Sequence, residues 1–360
     1  SATTSYTFIE GSLIISFHCC EKRKLNENKI KICRDNFFNL LTFSQFNKVN
    51  LIMNNKFLFI VFIILSSCSN DAIINERIIS KHLSTLSDDK MEGRRAGTNG
   101  IKKAAQYIES EFERIGLSKY DTLNSYRQNF DFYGMSFNNV VGVLKGKSLS
   151  DEFVIISAHY DHLGIDHEMD GDNIYNGAND NASGVTAVLT LAEYFKKSDI
   201  NERSIIFVAF TAEEMGLRGS RYFGKSINRN NIMAGINIEM IGVQSEYGKN
   251  TAWLTGFDRS DFGETIQKNL SDTKYKLFAD PYPTQNLFFR SDNAALARLG
   301  IPAHTFSTTP MEKDSHYHKV TDEYETLDIF TIKESIELIS KGILSIIQGE
   351  DTPTRIILNN

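Results

Sequence analysis

From residue 101 onward, the chain alternates between segments with apolar residues at helical spacing and short, unbroken apolar runs. The helical spacing predicts helices over 101–115, 184–197, 219–226, 261–270, 291–299 and 329–348. The unbroken runs, bounded by polar residues, predict buried strands over 139–144, 153–158, 204–210, 234–241 and 303–307. Gly116 follows the first helical segment and Gly300 the fifth, as is typical of helix ends.

This alternation predicts the fold class. Strands that alternate with helices build a largely parallel sheet with helices on both faces. The sequence shows no internal repeat and no linker after residue 80. We therefore expect one α/β domain.

Composition excludes several classes of protein. Of the 360 residues, 41% are hydrophobic and 23% are charged, which is ordinary for a globular protein and excludes a wholly disordered or fibrous chain. The net charge is −6, whereas nucleic-acid-binding proteins usually carry a basic surface. We therefore expect no nucleic-acid partner.

Charge and cysteine are unevenly distributed along the chain. Residues 1–67 carry eight basic and four acidic residues, a net charge of +4, and the remaining residues carry −10. All four cysteines lie at or before Cys68. The main body therefore contains no disulfide and no cysteine nucleophile, and a metal ion there must be bound by His, Asp or Glu.

Residues 53–68 have the features of an export signal. Lys56 is followed by nine apolar residues, 57–65, and then by Ser66-Ser67-Cys68. A basic start, a short apolar segment and small residues are typical of a secretory signal, and nine residues are too few to span a bilayer as a helix. Leu-Ser-Ser-Cys resembles the bacterial lipoprotein signal. The alternative is a buried strand or helix with a chance cysteine.

Three expectations follow for the organisation of the chain. We expect export, with a lipid at Cys68 as the only membrane contact and the protein anchored in the bacterial cell envelope, on its periplasmic or surface face. Residues 1–52 lack a methionine and are interpreted as an upstream extension outside the fold, either translated upstream DNA or a genuine extension. Residues 69–360 then form the main domain.

Polar clusters follow the predicted strands. His159 and Asp161 come directly after one strand, and Glu213, Glu214, Glu239 and His318 follow others, while Asp180 lies in a Gly/Asn-rich loop that opens a helix. In open α/β sheets, ligands bind beyond the carboxyl ends of the strands. Each cluster alone has an ordinary explanation, such as a surface pair or a helix cap. Together they predict one site at one edge of the sheet.

The order and spacing of five motifs resemble those of a known family. The motifs are HYDHLG (159–164), NGANDNASG (176–184), FTAEEMGLRGS (210–220), NIEMIG (237–242) and YHKVTDE (317–323). They are similar to the di-zinc aminopeptidases of metallopeptidase family 28, which includes bacterial leucyl aminopeptidases and glutamate carboxypeptidase II. DKMEGRRAGT (89–98) is similar to the segment that opens the catalytic domain of bacterial members. The resemblance covers about residues 75–350.

The resemblance implies a fold, a cofactor and a role for each residue. The implied fold is a single-domain, phosphorylase/hydrolase-like α/β fold with a twisted, mixed but mostly parallel sheet flanked by helices. The implied cofactor is two zinc ions, and the implied substrates are peptides, from which N-terminal residues are removed. By motif, the roles are His159 and Glu239 as ligands of the first zinc, Asp180 as the bridging carboxylate, Glu214 and His318 as ligands of the second zinc, Glu213 as general base and Asp161 as the partner that orients His159.

These roles are chemically consistent. Zinc binds imidazole nitrogen and carboxylate oxygen at about 2.0–2.2 Å. Two zinc ions about 3.5–4 Å apart can share a carboxylate and lower the pKa of a water to about 7. Glu213 can then take a proton from that water and pass it to the leaving amine. Tyr317 either stabilises an oxyanion or packs as an ordinary aromatic residue.

One departure and two rival functions remain at this stage. Glu239 stands where the family usually has Asp, and its extra methylene alters the reach of the carboxylate. One rival is a glutaminyl cyclase-like enzyme with a single zinc, against which His159 argues. The other is a catalytically inactive binding protein, as in transferrin receptor ectodomains. Such relatives lose ligands, whereas this chain keeps all five ligands and Glu213.

Overall fold

A computed structural model describes residues 74–121 and 123–358, together with the backbone of two strands near the start of the chain. These two strands are β1 (Thr4–Ile9) and β2 (Ser12–Phe17), and they pair antiparallel.

The chain divides into two compact units, Ser1–Cys68 and Ser69–Asn360. The predicted lipoprotein signal, residues 53–68 with Cys68 at its end, lies outside the described residues. Within the described part of the chain, every helix is too short or too polar to cross a bilayer.

The second unit contains a nine-stranded sheet and a small two-stranded ribbon. In chain order the strands are β3 (Ser118–Lys119), β4 (Arg127–Phe132), β5 (Met135–Leu144), β6 (Leu149–His159), β7 (Gly164–Ile165), β8 (Ile174–Tyr175), β9 (Arg203–Phe210), β10 (Ile232–Ile238), β11 (Thr251–Leu254), β12 (Lys276–Ala279) and β13 (Ala303–Ser307). The ribbon consists of β7 and β8.

The sheet is mixed, with a parallel centre. Its order is β12-β11-β13-β10-β6-β9-β5-β3, and β4 also pairs with β5. The four central strands β13, β10, β6 and β9 run parallel, while β11 and β5 join them antiparallel from either side. The predicted α/β class with a mixed, mostly parallel central sheet is confirmed.

Helices cover both faces of this sheet. They are α1 (Glu76–Leu86), α2 (Asn99–Ile115), α3 (Gly184–Ser198), α4 (Arg218–Ser226), α5 (Phe262–Leu270), α6 (Asn293–Ala297), α7 (Ile329–Gly342) and α8 (Leu344–Ile347).

The central strands read as continuous apolar runs because both of their faces are buried. On β6, Val154 and Ile156 pack into one core cluster with α1, α2, α3 and α7, whereas Ile155 packs into a second cluster with Phe223 of α4 and Leu296 of α6. Successive side chains thus pack against helices on opposite faces of the sheet, because side chains alternate between the two faces along a strand.

Most predicted helices are observed within two residues of their predicted ends. The helix predicted over 101–115 begins two residues earlier, at Asn99, and ends at Ile115, where Gly116 takes the left-handed φ of 81°. The prediction of one helix over 329–348 was wrong, because α7 ends at Gly342 and α8 follows Ile343. A Cβ at position 342 would lie 2.7 Å from Cγ2 of Ile266, so close packing against α5 requires a glycine that favours helix continuation poorly.

The strand predicted over 234–241 also ends early. β10 stops at Ile238, and Met240 has a φ of 53°, in the left-handed region. The chain therefore turns immediately after Glu239 and leaves that side chain at the strand end, although the apolar pattern continues to Ile241. The position of Glu239 at the candidate site depends on this turn.

Candidate metal centre

Side chains from the ends of three neighbouring parallel strands meet at one edge of the sheet. β6 ends at His159, β9 leads into Glu213 and Glu214, and β10 leads into Glu239. Ala212 has a φ of 53°, so the chain turns sharply just before the two glutamates. Strand order therefore brings together residues that are up to 80 positions apart in the sequence.

Asp180 lies between two groups of potential metal ligands. It lies in the segment Ala178–Ser183 that precedes α3, and its own φ of −107° and ψ of 92° are not helical. Its Oδ1 is 3.3 Å from Nε2 of His159, and its Oδ2 is 3.2 Å from Nε2 of His318. Each carboxylate oxygen thus faces a different histidine.

The first group consists of His159, Asp180 and Glu239, whose potential ligand atoms all lie within 4.8 Å of one another. Nε2 of His159 and Oε2 of Glu239 are buried and have no hydrogen-bond partner among the described residues. Buried polar atoms without partners are costly, and a cation held by these atoms would satisfy them. The longer side chain of Glu239 therefore still reaches this group.

The second group contains Asp180, Glu214 and two histidines. His318 Nε2 is 3.4 Å from Oε1 of Glu214, and His162 Nδ1 is 3.0 Å from the same oxygen. The potential ligand atoms of His162, Asp180 and Glu214 also lie within 4.8 Å of one another. The candidate sites of the sequence analysis are therefore brought together, with His162 as an unpredicted addition.

The electrostatics of this second group favour a bound cation. Burial alone would lower the pKa of His318, yet the contacts with Asp180 and Glu214 raise it to about 10. Such a shift means that the surrounding carboxylates strongly favour positive charge at this position. A divalent metal ion would supply it.

Asp161 holds the turn that carries the two glutamates. Its carboxylate accepts the backbone N–H groups of Glu213, at 3.0 Å, and Glu214, at 3.3 Å. Nδ1 of His159 lies 3.1 Å from the backbone carbonyl oxygen of Asp161 but 3.9 Å from the nearer carboxylate oxygen. Asp161 was predicted to orient His159. The backbone carbonyl group of Asp161 is the part that contacts His159, whereas the carboxylate of Asp161 positions the turn.

Glu213 lines a cavity of about 340 Å³ together with Asp180, Glu214, Glu239 and His318. Burial raises the pKa of Glu213 well above its usual value, and the carboxylates of Glu239 and Asp292 add to the increase. A carboxylate in such surroundings accepts a proton readily, as a general base must.

The same cavity has an apolar wall and a basic rim. The wall includes Trp253, Leu287 and Met311, and the lining also includes Arg221 and Arg290. One apolar side chain of a ligand would be shielded from water by this wall.

Tyr317 packs against the second group. Its ring stacks on that of His318, with centroids 3.9 Å apart and planes 21° apart, and its hydroxyl lies 3.3 Å from Nη2 of Arg290. The stacking limits rotation of the His318 ring.

Sequence reasoning missed three further residues that support the site. Asp292 is fully buried, and burial raises its pKa to about 7. Asp322 accepts the backbone N–H groups of Asn179 and Asp180. Asp322 belongs to the motif YHKVTDE, so the sequence could have indicated that it lies near the site. Its hydrogen bonds to the loop of Asp180 could not be predicted from the sequence.

The third missed residue, Arg94, is fully buried behind the site. Its guanidinium donates to the carbonyl oxygens of Leu86, Tyr160, Asn176 and Gly177 at 2.6–2.9 Å. Tyr160 lies between His159 and Asp161, and the other two loop carbonyls precede Asp180. One side chain therefore ties together both loops that carry the candidate metal-binding residues.

Comparison with known proteins gives the family. Residues 139–343, more than half of the chain, match the family described as peptidase family M28. Aminopeptidase YwaD of Bacillus subtilis is 25% identical over 235 residues, which cover 62% of this chain and 48% of that protein. This chain thus spans about half the length of that relative.

Solved structures resemble this fold. The zinc aminopeptidase BSAP from Bacillus subtilis matches with a TM-score of 0.63 and 16% identity, over 79% of this chain and 98% of that one. A glutaminyl cyclase from Bacteroides thetaiotaomicron, bound to N-acetylhistamine, matches with a TM-score of 0.58 and 19% identity, over 77% of this chain and 99% of that one. At this level of identity the likeness shows a shared fold.

Proposed function

The chain belongs to peptidase family M28, and from this premise we propose that it is a zinc-dependent aminopeptidase that removes N-terminal residues from peptides. The observation that carries the proposal is the position of Asp180, whose two oxygens face His159 and His318 separately. A carboxylate in that position suits a pair of metal ions rather than one.

Zinc fits the chemistry of the donor set. The proposed ligands of the first ion are His159, Asp180 and Glu239, and Glu214 and His318 join Asp180 at the second. Imidazole nitrogen and carboxylate oxygen are both common zinc ligands, and the described part of the main body offers no thiolate. When bound, two zinc ions would polarise the scissile carbonyl and make a water molecule acidic at neutral pH.

Glu213 is the proposed general base and acid. Its raised pKa suits a carboxylate that takes a proton from water and returns it to the leaving amine. The N–H groups of Glu213 and Glu214 are both held by Asp161, and this supports a fixed division of labour between the two neighbouring carboxylates.

The shape of the cavity supports an exopeptidase. Trp253, Leu287 and Met311 give it an apolar wall beside the carboxylates. A volume of about 340 Å³ suits a terminal residue with its side chain rather than an extended chain on both sides of the scissile bond. A free N-terminal ammonium would also be attracted to the carboxylates in the cavity.

A glutaminyl cyclase-like function is the second candidate, because a cyclase shares this fold. The second group of ligands argues for the peptidase, because a single-zinc enzyme has no need of a shared carboxylate.

The experiment uses purified protein and three kinds of substrate. We expect hydrolysis of aminoacyl-p-nitroanilides, no hydrolysis of N-acetylated peptides, and no cyclisation of peptides with N-terminal glutamine. Chelator should abolish activity, and added zinc should restore it. Cleavage of N-blocked but not C-blocked peptides would instead indicate a carboxypeptidase, and cyclisation without hydrolysis would indicate a cyclase.

We also propose that the protein is exported and anchored to the bacterial envelope by a lipid at Cys68. The support is the sequence of residues 53–68 alone.

A further inference from the structure

We propose that His162 is a fourth protein ligand of the second metal ion, which makes the two metal sites unequal. The inference rests on the metal-binding part of the proposed function and goes beyond the ligand set that the family resemblance implies. That set assigns Glu214, His318 and the shared Asp180 to the second ion.

The position of the His162 ring is fixed by the surrounding backbone. Its side chain has no solvent exposure. A Cβ added at Gly177 would lie 2.5 Å from Cγ and Cδ2 of the ring, so the loop that carries Asp180 passes directly against it. The backbone N–H of His162 donates to the carbonyl oxygen of Arg94 at 3.3 Å. The ring is therefore held in place before any ion binds.

His162 faces the same oxygens as His318. Its Nδ1 is 3.0 Å from Oε1 of Glu214 and 3.8 Å from Oδ2 of Asp180. Nε2 of His318 is 3.4 Å and 3.2 Å from these two oxygens. A residue that only oriented Glu214 would be expected to contact the oxygen turned away from the metal. His162 instead contacts the oxygen that also faces His318.

The four distances agree with one tetrahedral ion. With metal–ligand bonds of about 2.0–2.1 Å, two ligand atoms of a tetrahedron lie about 3.3–3.4 Å apart. The observed separations of 3.0, 3.8, 3.4 and 3.2 Å scatter around this value.

The relationship of the two rings fits the same geometry. The centroids of His162 and His318 are 5.7 Å apart, and the planes are inclined by 67°. Two imidazoles on one tetrahedral ion are expected to have centroids about 5 Å apart, because each ring centre lies about 3.2 Å from the ion. Nε2 of His162, which carries the ring proton when Nδ1 binds a metal, has no hydrogen-bond partner among the described residues.

The consequence is a division between the two sites. The first ion would have three protein ligands, His159, Asp180 and Glu239, whereas the second would have four. Closed four-ligand zinc sites are typically structural, and sites with three protein ligands keep a position open for reactants. The first site would therefore keep a position open for a reactant, whereas protein ligands would occupy four positions at the second.

The test counts imidazole ligands in the unmodified protein. The metal is replaced by Co²⁺, and proton NMR in water is used to count paramagnetically shifted imidazole N–H signals. We expect three signals, from His159, His162 and His318. Two signals would overturn the proposal, and so would failure of the protein to bind cobalt or zinc.

Two variants assign the third signal. His162→Ala should remove one signal and weaken the binding of one of two zinc ions by more than 100-fold, since loss of an outer-shell contact alone costs about 10–100-fold. His167→Ala is the matched control, because His167 is exposed, and it should keep all three signals and both ions. Retention of three signals in folded His162→Ala protein, or equal loss of both ions, would contradict the assignment. If His162→Ala does not fold, the count in the unmodified protein still decides.

This outcome is separate from that of the proposed function. A protein that binds two ions and shows three signals but cleaves no peptide would retain the His162 assignment and lose the aminopeptidase proposal. A protein with two signals and full activity would give the reverse result.

Discussion

The carboxylate of Asp322 accepts the backbone N–H of Asp180 at 2.9 Å, so the residue shared by the two candidate metal sites is held from behind by a second carboxylate. Asp322 also accepts the N–H of Asn179, and its own carbonyl accepts the N–H of Ala178. Three successive residues of the loop are thus fixed to one side chain and its backbone. The position of Asp180 therefore depends on a residue that lies 142 positions later in the chain.

The first prediction tests this support. Asp322→Asn removes one of two acceptor oxygens and directs an amide N–H₂ towards a backbone N–H. We expect zinc affinity to fall about 10–100-fold, as is typical when an outer-shell partner is lost. Zinc affinity is measured by competition with a chelator. The exposed Glu325→Gln is the control, and equal affinity in the two variants would show that Asp322 does not support the site.

The second prediction concerns the bridging carboxylate. Asp180→Ala should lose both metal ions together, because each candidate site loses a charged ligand. Elemental analysis of purified protein gives the stoichiometry. Asp170→Ala, in the exposed acidic loop, should keep two ions. Two ions retained in Asp180→Ala would disprove the bridging role.

The strand ends explain how much of this site the sequence could predict. His159 and Glu239 follow apolar runs that build central strands, so their meeting at one sheet edge follows from the alternating pattern. The position of His162 could not be predicted from the strand pattern in this way. His162 lies three residues beyond β6, and its direction depends on the contacts of its loop with Gly177 and Arg94.

The burial of Asp292 is a second feature that could not be predicted from the sequence. Asp292 comes directly before the first residue of α6, Asn293, where an aspartate is expected as an ordinary helix cap. Its complete burial arises from packing between distant elements. The four-residue strands β11 and β12, at one side of the sheet, were likewise missed, because four residues carry too little pattern to distinguish a strand from a loop.

The third prediction concerns Arg94. Burial lowers its pKa to about 10, so the side chain remains charged at neutral pH while it donates to four carbonyl oxygens. Arg94→Ala removes the guanidinium donor from all four carbonyls, and among them the carbonyl of Gly177 still accepts the backbone N–H of Ala182. We expect the free energy of unfolding to fall by about 3 kcal/mol or more, since a hydrogen bond to a charged group contributes about 1.5–3 kcal/mol.

Urea unfolding followed by circular dichroism measures this change. The adjacent, exposed Arg95→Ala is the control and should stay within about 0.5 kcal/mol of the unmodified protein. Similar losses in the two variants would mean that the buried contacts of Arg94 contribute little.

The fourth prediction concerns processing. Mature protein extracted from membranes should begin at Cys68 and carry lipid, because a basic start, a short apolar segment and a Leu-Ser-Ser-Cys sequence precede that position in order. Intact-mass measurement checks both the start and the added mass. Cys68→Ser should leave the chain unlipidated and shift it to the soluble fraction. An unlipidated protein that retains residues 1–67 would refute the prediction.

The last prediction separates the roles of two adjacent glutamates. Glu213 and Glu214 carry the same carboxylate, and Asp161 holds the backbone N–H of each, so only the direction of the side chains distinguishes them. Both glutamates line the cavity, but Oε1 of Glu214 faces His162 and His318, whereas Glu213 has the strongly raised pKa. Glu213→Gln should therefore keep both zinc ions and lower turnover by at least about 10²–10⁴-fold, the usual contribution of general acid–base catalysis.

Glu214→Gln should instead weaken metal binding, because a neutral amide oxygen is a poorer zinc ligand than a carboxylate. Excess zinc should then restore part of the activity of Glu214→Gln and none of the activity of Glu213→Gln. Kinetics at increasing zinc concentration measure this difference, with metal content determined in parallel and circular dichroism used to confirm folding. The opposite pattern of rescue would mean that the two roles are exchanged. Full activity in both variants would place the reaction outside this cavity.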